Sequence, residues 1–430
     1  MSTIRARERD AVLQSLRAGV VPRSGQYLIQ VGRLKEIEAM LKDIDRCADG
    51  GSAIRFVIGA YGSGKTFFLN LVRSIALEKR LVTAHADLSP DRRLQGSGGQ
   101  ARSLYSELMR NISTRAKAEG GAMNSIVERF VTEVLKESKE GGHSPEVQIH
   151  KRLEHLTEMT GGYDFAEVVA CYWRGHDTGN EQLKVNAVRW LRAEFSTKTE
   201  ARAALGVRTI VDDQNFYDHL KLMARFVRLA GFSGLLVLLD ELVNLYKIAN
   251  TQSRSANYEQ ILRILNDSLQ GAAVGLCVLM GGTPEFLMDT RRGLYSYAAL
   301  QSRLAENTFA TDGRVDFSSP VLRLSSLTPE DFYLLISKIR HVQAFGDTGR
   351  YLLPDEGLHS FMEHCERRIG ESYFRTPRTT ITSFVNLLSV LEQNPQATWQ
   401  ELVNGTAVSE DNEPAADDAD EMDELTSFKL

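Results

Sequence analysis

The stretch GAYGSGKT (59–66) decides how the chain is expected to fold. Its spacing, Gly-x-x-x-x-Gly-Lys-Thr, is that of a loop whose backbone N–H groups wrap around a phosphate. The apolar run IRFVI (54–58) precedes it, and apolar residues at helical spacing follow it. A strand before the loop and a helix after it are the context that this motif requires. The stretch therefore predicts a phosphate-binding loop at the end of a buried parallel strand.

The chemistry of the loop gives roles to its residues. Lys65 is expected to neutralise the β- and γ-phosphates of ATP, and the Thr66 hydroxyl to hold Mg²⁺. The helix that starts near Lys65 adds the positive end of its dipole. A chance glycine turn is the alternative, and the strand and helix on either side argue against it. The candidate nucleotide-binding residues of the loop are Gly59, Ala60, Tyr61, Gly62, Ser63, Gly64, Lys65, Thr66 and Phe67.

A second apolar strand, in GLLVLLDELVNLY (234–246), ends in two acids. Asp240 is the candidate ligand of Mg²⁺, usually through water, and Glu241 is the candidate base that polarises the attacking water. The alternative is an ordinary strand followed by two acids at a helix N-terminus, where the helix dipole favours them. The distance along the chain between the glycine loop and these two acids is typical of acids that act together with such a loop. It therefore favours the catalytic interpretation.

A third apolar strand, in GLCVLMGGTPEFL (275–287), ends in Gly-Gly-Thr. In ATPases of this class, the strand beside the magnesium-binding strand carries a polar residue that faces the γ-phosphate. Thr283 is the candidate for that role. An equally good interpretation is that Thr283 caps a helix that starts at Pro284.

Hydrophobic periodicity predicts an α/β fold with a parallel five-stranded sheet, a helical insertion and a C-terminal helical lid. Ser89-Pro90-Asp91 is a candidate helix start after the second strand, and TPED (328–331) is another, with Thr328 as N-cap. The acidic tail is predicted to be disordered. The predicted segments are an N-terminal helical segment (1–50), the first half of the core (51–120), the insertion (121–205), the second half of the core (206–327), the lid (328–408) and the tail (409–430).

Composition argues against a membrane-spanning protein, a secreted protein and a metal site built from thiolates. The chain is 43% hydrophobic but has no apolar run long enough to cross a membrane, and its start, MSTIRARERDAV, is too charged for a secretory signal. Its four cysteines are scattered, which favours free thiols and a cytoplasmic location over a thiolate metal site. The tail holds nine carboxylates and one lysine, so the rest of the chain carries 50 basic and 47 acidic residues. The slightly positive charge of the chain outside the tail is compatible with a surface that binds nucleic acid, but it is not strong evidence for one.

The order of these motifs resembles the AAA+/ORC-like branch of P-loop ATPases. The resemblance implies an adenine-side motif at Val31-Gly32-Arg33, with Gly32 and Arg33 near the nucleotide. It also implies an arginine that reaches the site of a neighbouring subunit, and hence a homo-oligomer. Arg303 is the candidate, with Arg291 and Arg292 as competitors. Arg378 is the candidate lid arginine that contacts the γ-phosphate, with Arg375 in reserve. For each arginine, a solvated surface charge is the alternative.

More narrowly, the chain is similar to the ATP-binding proteins of bacterial anti-phage islands of the BREX type. The resemblance implies a cytoplasmic ATPase in phage defence that works beside other defence-island proteins on DNA. The matching stretches are LRAGVVPRSG (16–25), VGRLKEIEAMLKDI (31–44), GAYGSGKTFFLNLVR (59–73), DELVNLYK (240–247), GGTPEFLMDTRRGLYSYAALQSRLAE (281–306) and TPRTTITSFVNLL (376–388).

Two hypotheses for how the chain uses ATP remain open. In the first, hydrolysis drives a motor or switch on duplex DNA, although the basic clusters are modest. In the second, ATP controls a protein contact in assembly or signalling, with the insertion or the acidic tail as docking device and no direct contact to DNA. A metabolic kinase or GTPase fits less well, because no guanine-specificity motif is present.

Overall fold

The computed structural model describes residues 4–142, 144–310, 314–405 and 408. The chain divides into two compact units. The larger unit comprises Arg33–Ala60 and Lys65–Leu324. The smaller unit comprises Tyr61–Gly64 and the described parts of Met1–Gly32 and Ser325–Leu430. The predicted acidic tail lies outside the described residues, and the six predicted segment boundaries stay predictions.

The larger unit is built on the five-stranded parallel sheet that the sequence predicts. The strands are β1 Ala53–Ile58, β2 Val82–Asp87, β3 Leu235–Asp240, β4 Leu276–Gly282 and β5 Val321–Arg323. They lie in the order β2-β3-β4-β1-β5, and every neighbouring pair is parallel. The strand that precedes the glycine loop is therefore separated from the strand that ends in Asp240 by β4 alone.

Twenty α-helices are present in the described part of the chain. They are α1 Ala6–Arg17, α2 Gln26–Ile29, α3 Leu34–Ala48, α4 Lys65–Glu78, α5 Gln100–Arg110, α6 Met123–Gly141, α7 Pro145–Thr157, α8 Gly162–Asp177, α9 Glu181–Leu191, α10 Lys198–Leu205, α11 Phe216–Leu229, α12 Val243–Tyr246, α13 Thr251–Leu269, α14 Pro284–Met288, α15 Ala298–Leu304, α16 Pro329–Gln343, α17 Asp355–Ile369, α18 Ser372–Arg375, α19 Arg378–Gln393 and α20 Trp399–Gly405. Two short 3₁₀ helices span Leu294–Ser296 and Thr348–Arg350.

Alternate residues of β1, β3, β4 and β5 enter different cores, as the pleat of a strand requires. On one face of the sheet, Val57 and Leu238 pack with residues of α3 and α4, such as Met40 and Phe68. On the other face, Phe56, Val237 and the remaining alternate residues belong to a much larger hydrophobic cluster. Because both faces are covered, the strands read as nearly continuous apolar runs rather than as alternating patterns.

The predicted helical insertion between β2 and β3 is helical, and α6–α10 fall within 121–205. Its buried aromatic residues, including Phe130, Phe165 and Trp190, belong to the same hydrophobic cluster as one face of the sheet. Phe165 contacts both Phe226 of α11 and Trp190 with ring centroids 5.2 and 6.3 Å apart. The insertion thus shares a core with the sheet within the larger unit.

The smaller unit is helical throughout its described elements. Its helix α16 starts as the TPED stretch predicts: Thr328 is the N-cap, Pro329 the first helical residue, and Thr328 and Asp331 bond reciprocally in a capping box. Such a pair satisfies two N–H groups that would otherwise lack partners at the helix start. The predicted helix start at Ser89-Pro90-Asp91 is wrong. Ser89 and Arg92 exchange backbone hydrogen bonds of 3.1 Å in a tight turn, and the next helix begins at Gln100.

The predicted free thiols are present: all four cysteines are buried and unbridged. Burial raises the pKa of Cys47 and Cys365 to about 12, so these thiols carry no thiolate at neutral pH. Among the described residues, none of the helices combines the length and the apolar character that a bilayer crossing demands.

Candidate functional site

The glycine loop connects β1 directly to α4, in the predicted strand–loop–helix order. The Gly59 N–H donates to the Gly282 carbonyl of β4 over 3.2 Å, which ties the start of the loop to the sheet. Gly62 and Gly64 have φ values of 73° and 79°, a region in which a side chain is strained. Residues 59–64 lie in the loop, and Lys65, Thr66 and Phe67 form the first turn of α4.

The ammonium group of Lys65 bends back over the start of the loop. Its Nζ donates to the carbonyl oxygens of Gly59 and Ala60 over 2.8 and 2.9 Å. These contacts hold a positive charge at the carboxyl end of β1, beside the N-terminus of a fourteen-residue helix. Two positive features, an ammonium group and a helix N-terminus, thus meet at one edge of the sheet.

Thr66 and Asp240 are brought together across the sheet edge. The Thr66 hydroxyl donates to Asp240 Oδ2 over 2.8 Å. Thr66 is exposed on its other side, whereas Asp240 is only 9% exposed at the end of β3. Asp240 Oδ1 also accepts the N–H of Glu241 over 2.9 Å. A hydroxyl and a carboxylate, both oxygen donors of the kind that Mg²⁺ prefers, are therefore adjacent.

Glu241 follows Asp240 in a left-handed backbone conformation, with φ of 59°. For a residue with a side chain this conformation is costly and turns the chain sharply. Partial desolvation raises the pKa of Glu241 above its ordinary value, and the charges of Asp240 and Asp87 raise it further, while Lys65 opposes them. The Glu241 carboxylate is therefore more basic than an ordinary one.

Asp87 is the residue at this site that the sequence reasoning missed. It ends β2, and its backbone is in register with Asp240 in the neighbouring strand. Desolvation and then the charge of Asp240 raise its pKa, while Arg92 lowers it. The signal was present in LVTAHADL (81–88), an apolar strand with an acid at its carboxyl end, as in LLVLLD. Three acids thus converge at the ends of two neighbouring strands.

A glycine in the intervening strand makes room for this arrangement. A Cβ atom added to Gly281 of β4 would lie 2.4 Å from Asp240 Oδ1 and 3.0 Å from Leu69 Cδ1 of α4. The Gly281 carbonyl accepts the N–H of Leu242 over 3.1 Å, which fixes the turn after Glu241. Because β4 presents no side chain here, Asp240 can reach α4.

Thr283 and Arg303 are two other residues of the larger unit with predicted roles. Their side chains form hydrogen bonds with the backbone of their own helices rather than with the acids at the strand ends. The Thr283 hydroxyl caps α14 by accepting the N–H of Phe286 over 3.3 Å, as the alternative interpretation proposed. Arg303 lies in α15 and is exposed, and it donates to the Ala299 carbonyl of its own helix over 2.9 Å. The roles predicted for Thr283 and Arg303 at the phosphates stay predictions.

The remaining predicted residues lie at or beside helix ends. Gly32 in the smaller unit and Arg33 in the larger both have φ of 60°, and Arg33 is the residue before α3. Arg378 starts α19 in the smaller unit, and its Nε donates to the Gly19 carbonyl over 2.6 Å. Its reserve, Arg375, pairs with Glu371 over 2.6 Å.

The family described as BREX system ATP-binding protein BrxC/D matches residues 4–407 of the chain. No curated protein matches the sequence. The family match includes the glycine loop, the acids at the ends of β2 and β3, and both compact units. Since it spans nearly the whole sequence, the chain belongs to the family of BREX system ATP-binding proteins.

Proposed function

We propose that this chain is a Mg²⁺-dependent ATP hydrolase of the AAA+ type that works as a motor or switch in phage defence. The observation that carries the proposal is the 2.8 Å contact between the Thr66 hydroxyl and Asp240 Oδ2. It joins the helix after the glycine loop to the acid at the end of β3, the two elements that a P-loop ATPase uses together. Membership of an ATP-binding family in a defence system supports the same reading.

The residues present fit a magnesium ion. Thr66 and Asp240 would hold it, because a hydroxyl and a carboxylate are hard oxygen ligands. Among the described residues, no group of three or more His, Cys, Asp or Glu side chains forms a metal cage. That agrees with the tendency of Mg²⁺ to bind through one or two protein groups plus phosphates and water. Bound there, the ion would neutralise charge on the phosphate oxygens.

Different residues of the chain then bind the phosphates, activate the attacking water and tune the pKa of the base. The backbone N–H groups of 59–66 and the Lys65 ammonium bind and orient the phosphates. Glu241 polarises the attacking water and takes up its proton, a task for which its raised pKa suits it. Asp87 raises the basicity of Glu241 through its charge. Asp87 therefore acts as a positioning and tuning residue.

The proposal extends to residues outside the loop and the strand ends. Arg303 completes the site of a neighbouring copy in a homo-oligomer, and its exposure supports that role. Arg378 serves as lid arginine, Thr283 faces the γ-phosphate, and Gly32 and Arg33 lie near the adenine. The enzyme is proposed to work in the cytoplasm, with other proteins of its system and with duplex DNA. The insertion, core and lid are proposed to have the boundaries given above.

The test is the release of phosphate from ATP by the purified chain, with Mg²⁺ or with a chelator, and with or without duplex DNA. We expect turnover only with Mg²⁺ and a higher rate with duplex DNA. Turnover that ignores DNA would favour the alternative, a switch that controls protein assembly without touching DNA. Absence of any affinity for adenine nucleotides with Mg²⁺ would refute the proposal as a whole.

A further inference from the structure

A concave site lies in the larger unit, beside α3 and the segment that precedes β5. It is a cavity of about 500 Å³, which we call the α3 cavity. Three cations of α3, Lys35, Lys42 and Arg46, line one side. The two lysines are seven residues apart, or about 10 Å along the helix axis. Both are exposed, and neither forms an ion pair with another residue that the structure describes.

The floor of the α3 cavity holds a buried guanidinium group. Arg55 of β1 is 6% exposed, and its Nε donates to Asp43, which is 2% exposed. Its Nη1 donates to the Ser319 carbonyl. Its Nη2 has no hydrogen-bond partner among the described residues, although the side chain lines the cavity. This nitrogen is not among the buried polar atoms without a partner, so it reaches solvent in the cavity, and the charge of Asp316 also acts on Arg55. An anionic ligand in the cavity would accept a charge-assisted hydrogen bond from it.

The charge of the lining is positive overall. Asp43 is neutralised by Arg55, and it also lies 3.8 Å from Arg46. Glu38 is the other acid of the lining, and it faces Lys35 and Lys42 across a single helical turn. The excess of cations makes the cavity a site for an anion, and Arg and Lys together are suited to phosphate.

The opposite side is apolar. Phe317 packs against the hydrophobic cluster under α3 and also lines the cavity, with Val315 beside it. Val315 is 65% exposed, so this apolar surface is open to solvent. Bases of single-stranded nucleic acids stack on aromatic side chains in this way, whatever the base. Cations on one side and an aromatic ring on the other fit a phosphate joined to a heterocyclic base.

We propose that the α3 cavity binds one nucleotide unit, with its phosphate at Lys35, Lys42 and the Arg55 edge and its base against Phe317. The volume suits a single small ligand rather than a duplex, which needs a long open surface. A free nucleotide and one nucleotide of a single DNA strand offer the same chemistry. The proposal is independent of hydrolysis at Asp240 and Glu241.

The test compares two double variants of the full chain. Lys35→Ala/Lys42→Ala removes two exposed cations of the cavity, and Lys136→Ala/Lys139→Ala removes two exposed cations of α6. The probes are fluorescein-labelled oligo(dT) and thymidine 5′-monophosphate, measured by anisotropy and by calorimetry without ATP. Affinity for labelled ATP with Mg²⁺ is measured on the same samples. Unchanged ATP affinity in both double variants separates a failure of this proposal from a failure of the proposed ATP site.

We expect the cavity variant to bind a probe about tenfold more weakly than wild type, and the α6 variant to bind it normally. If oligo(dT) is the ligand, the slope of log K against log salt falls by about 1.4, because each lysine–phosphate pair in a single-stranded complex contributes about 0.7. Phe317→Ala, checked for folding by thermal unfolding, is expected to weaken the same probe. Binding of oligo(dT) alone identifies a DNA strand as the source, and binding of the mononucleotide identifies free nucleotide. No binding of either probe, or equally weakened binding in both double variants, overturns the proposal.

Discussion

The Thr66 hydroxyl lies 2.8 Å from Asp240 Oδ2, although 174 residues separate the two along the chain. They meet because α4 follows β1, Asp240 ends β3, and the intervening strand β4 carries Gly281 at the crossing point. The contact therefore depends on three strands at once.

Gly281→Ala tests that dependence. Its Cβ would lie 2.4 Å from Asp240 Oδ1, so the Asp240 carboxylate must shift from the position in which it contacts Thr66. We expect weaker Mg²⁺-dependent binding of ATP, and a loss of about 1–3 kcal/mol in the free energy of unfolding from overpacking. Titration with labelled ATP and denaturant unfolding measure the two effects.

The matched control is Gly405→Ala, at the end of α20, where an added Cβ meets no atom within 4 Å. That variant is expected to bind ATP and unfold as wild type does. If Gly281→Ala bound ATP with full Mg²⁺ dependence, Asp240 would not be part of the metal site.

Lys65→Ala removes the ammonium group that lies over Gly59 and Ala60. We expect the affinity for ATP to fall about 30-fold or more, since a hydrogen bond to a charged group contributes about 2 kcal/mol. Fluorescence titration with labelled ATP measures it. Lys79→Ala, just past the same helix, removes an exposed ion pair with Asp45 and is expected to leave the affinity unchanged. Equal affinities in the two variants would exclude Lys65 from phosphate binding.

Glu241→Gln separates binding from hydrolysis. Glutamine keeps the size of the side chain but cannot take up a proton from water. We expect ATP to bind as in wild type and turnover to fall about 100-fold or more. Single-turnover phosphate release measures the chemical step, with Glu259→Gln on the exposed side of α13 as control. Normal turnover in Glu241→Gln would assign the base to another residue.

The same variant predicts a pH dependence of stability. Partial desolvation and the charges of Asp240 and Asp87 raise the folded-state pKa of Glu241 above 4.5. The folded chain then holds this proton more tightly than the unfolded chain, so the stability linked to it is present below about pH 4.5 and is lost as pH rises through the folded pKa. Without nucleotide or divalent ions, Glu241→Gln is expected to exceed wild type in free energy of unfolding by a margin that grows with pH.

Denaturant unfolding at several pH values measures that margin. Glu259→Gln serves again as control, and its difference from wild type is expected to stay flat over the same range. A margin for Glu241→Gln that stays constant or shrinks as pH rises would show that neither desolvation nor the charges of Asp240 and Asp87 raise the folded-state pKa of Glu241.

Features that depend on short stretches could be predicted from the sequence. Strand β1 lies within one residue of the apolar run IRFVI (54–58), and β3 and β4 lie inside the apolar stretches that were expected to form strands. Thr328 and Asp331 are three residues apart, so their capping box is visible locally. The meeting of Thr66 and Asp240 was predicted only because a known motif supplies the long-range pairing.

Features that depend on strand order could not be predicted in this way. Asp87 lies beside Asp240 because β2 pairs with β3, and nothing local in either strand specifies that pairing. The position at which α5 starts also depends on a contact with a distant part of the chain. Asp213, more than a hundred residues away, accepts the N–H groups of Gly99 and Arg102, which caps the helix there instead of near Ser89.

Arg303→Ala tests whether a neighbouring copy completes the site. Arg303 is exposed, and the hydrogen bond to Ala299 of its own helix leaves its role within one copy small. We expect normal ATP binding and turnover about 1,000-fold lower, as for arginines that act across a subunit interface. Mixing this variant with Lys65→Ala provides the decisive measurement, because Lys65→Ala copies still carry Arg303 and Arg303→Ala copies still bind ATP. Turnover should reappear in the mixture if the arginine acts between copies. The contradicting result is a mixture that stays inactive, with the chain monomeric in the presence of an ATP analogue. That result would exclude Arg303 from the site and make Arg291 and Arg292 the next residues to test.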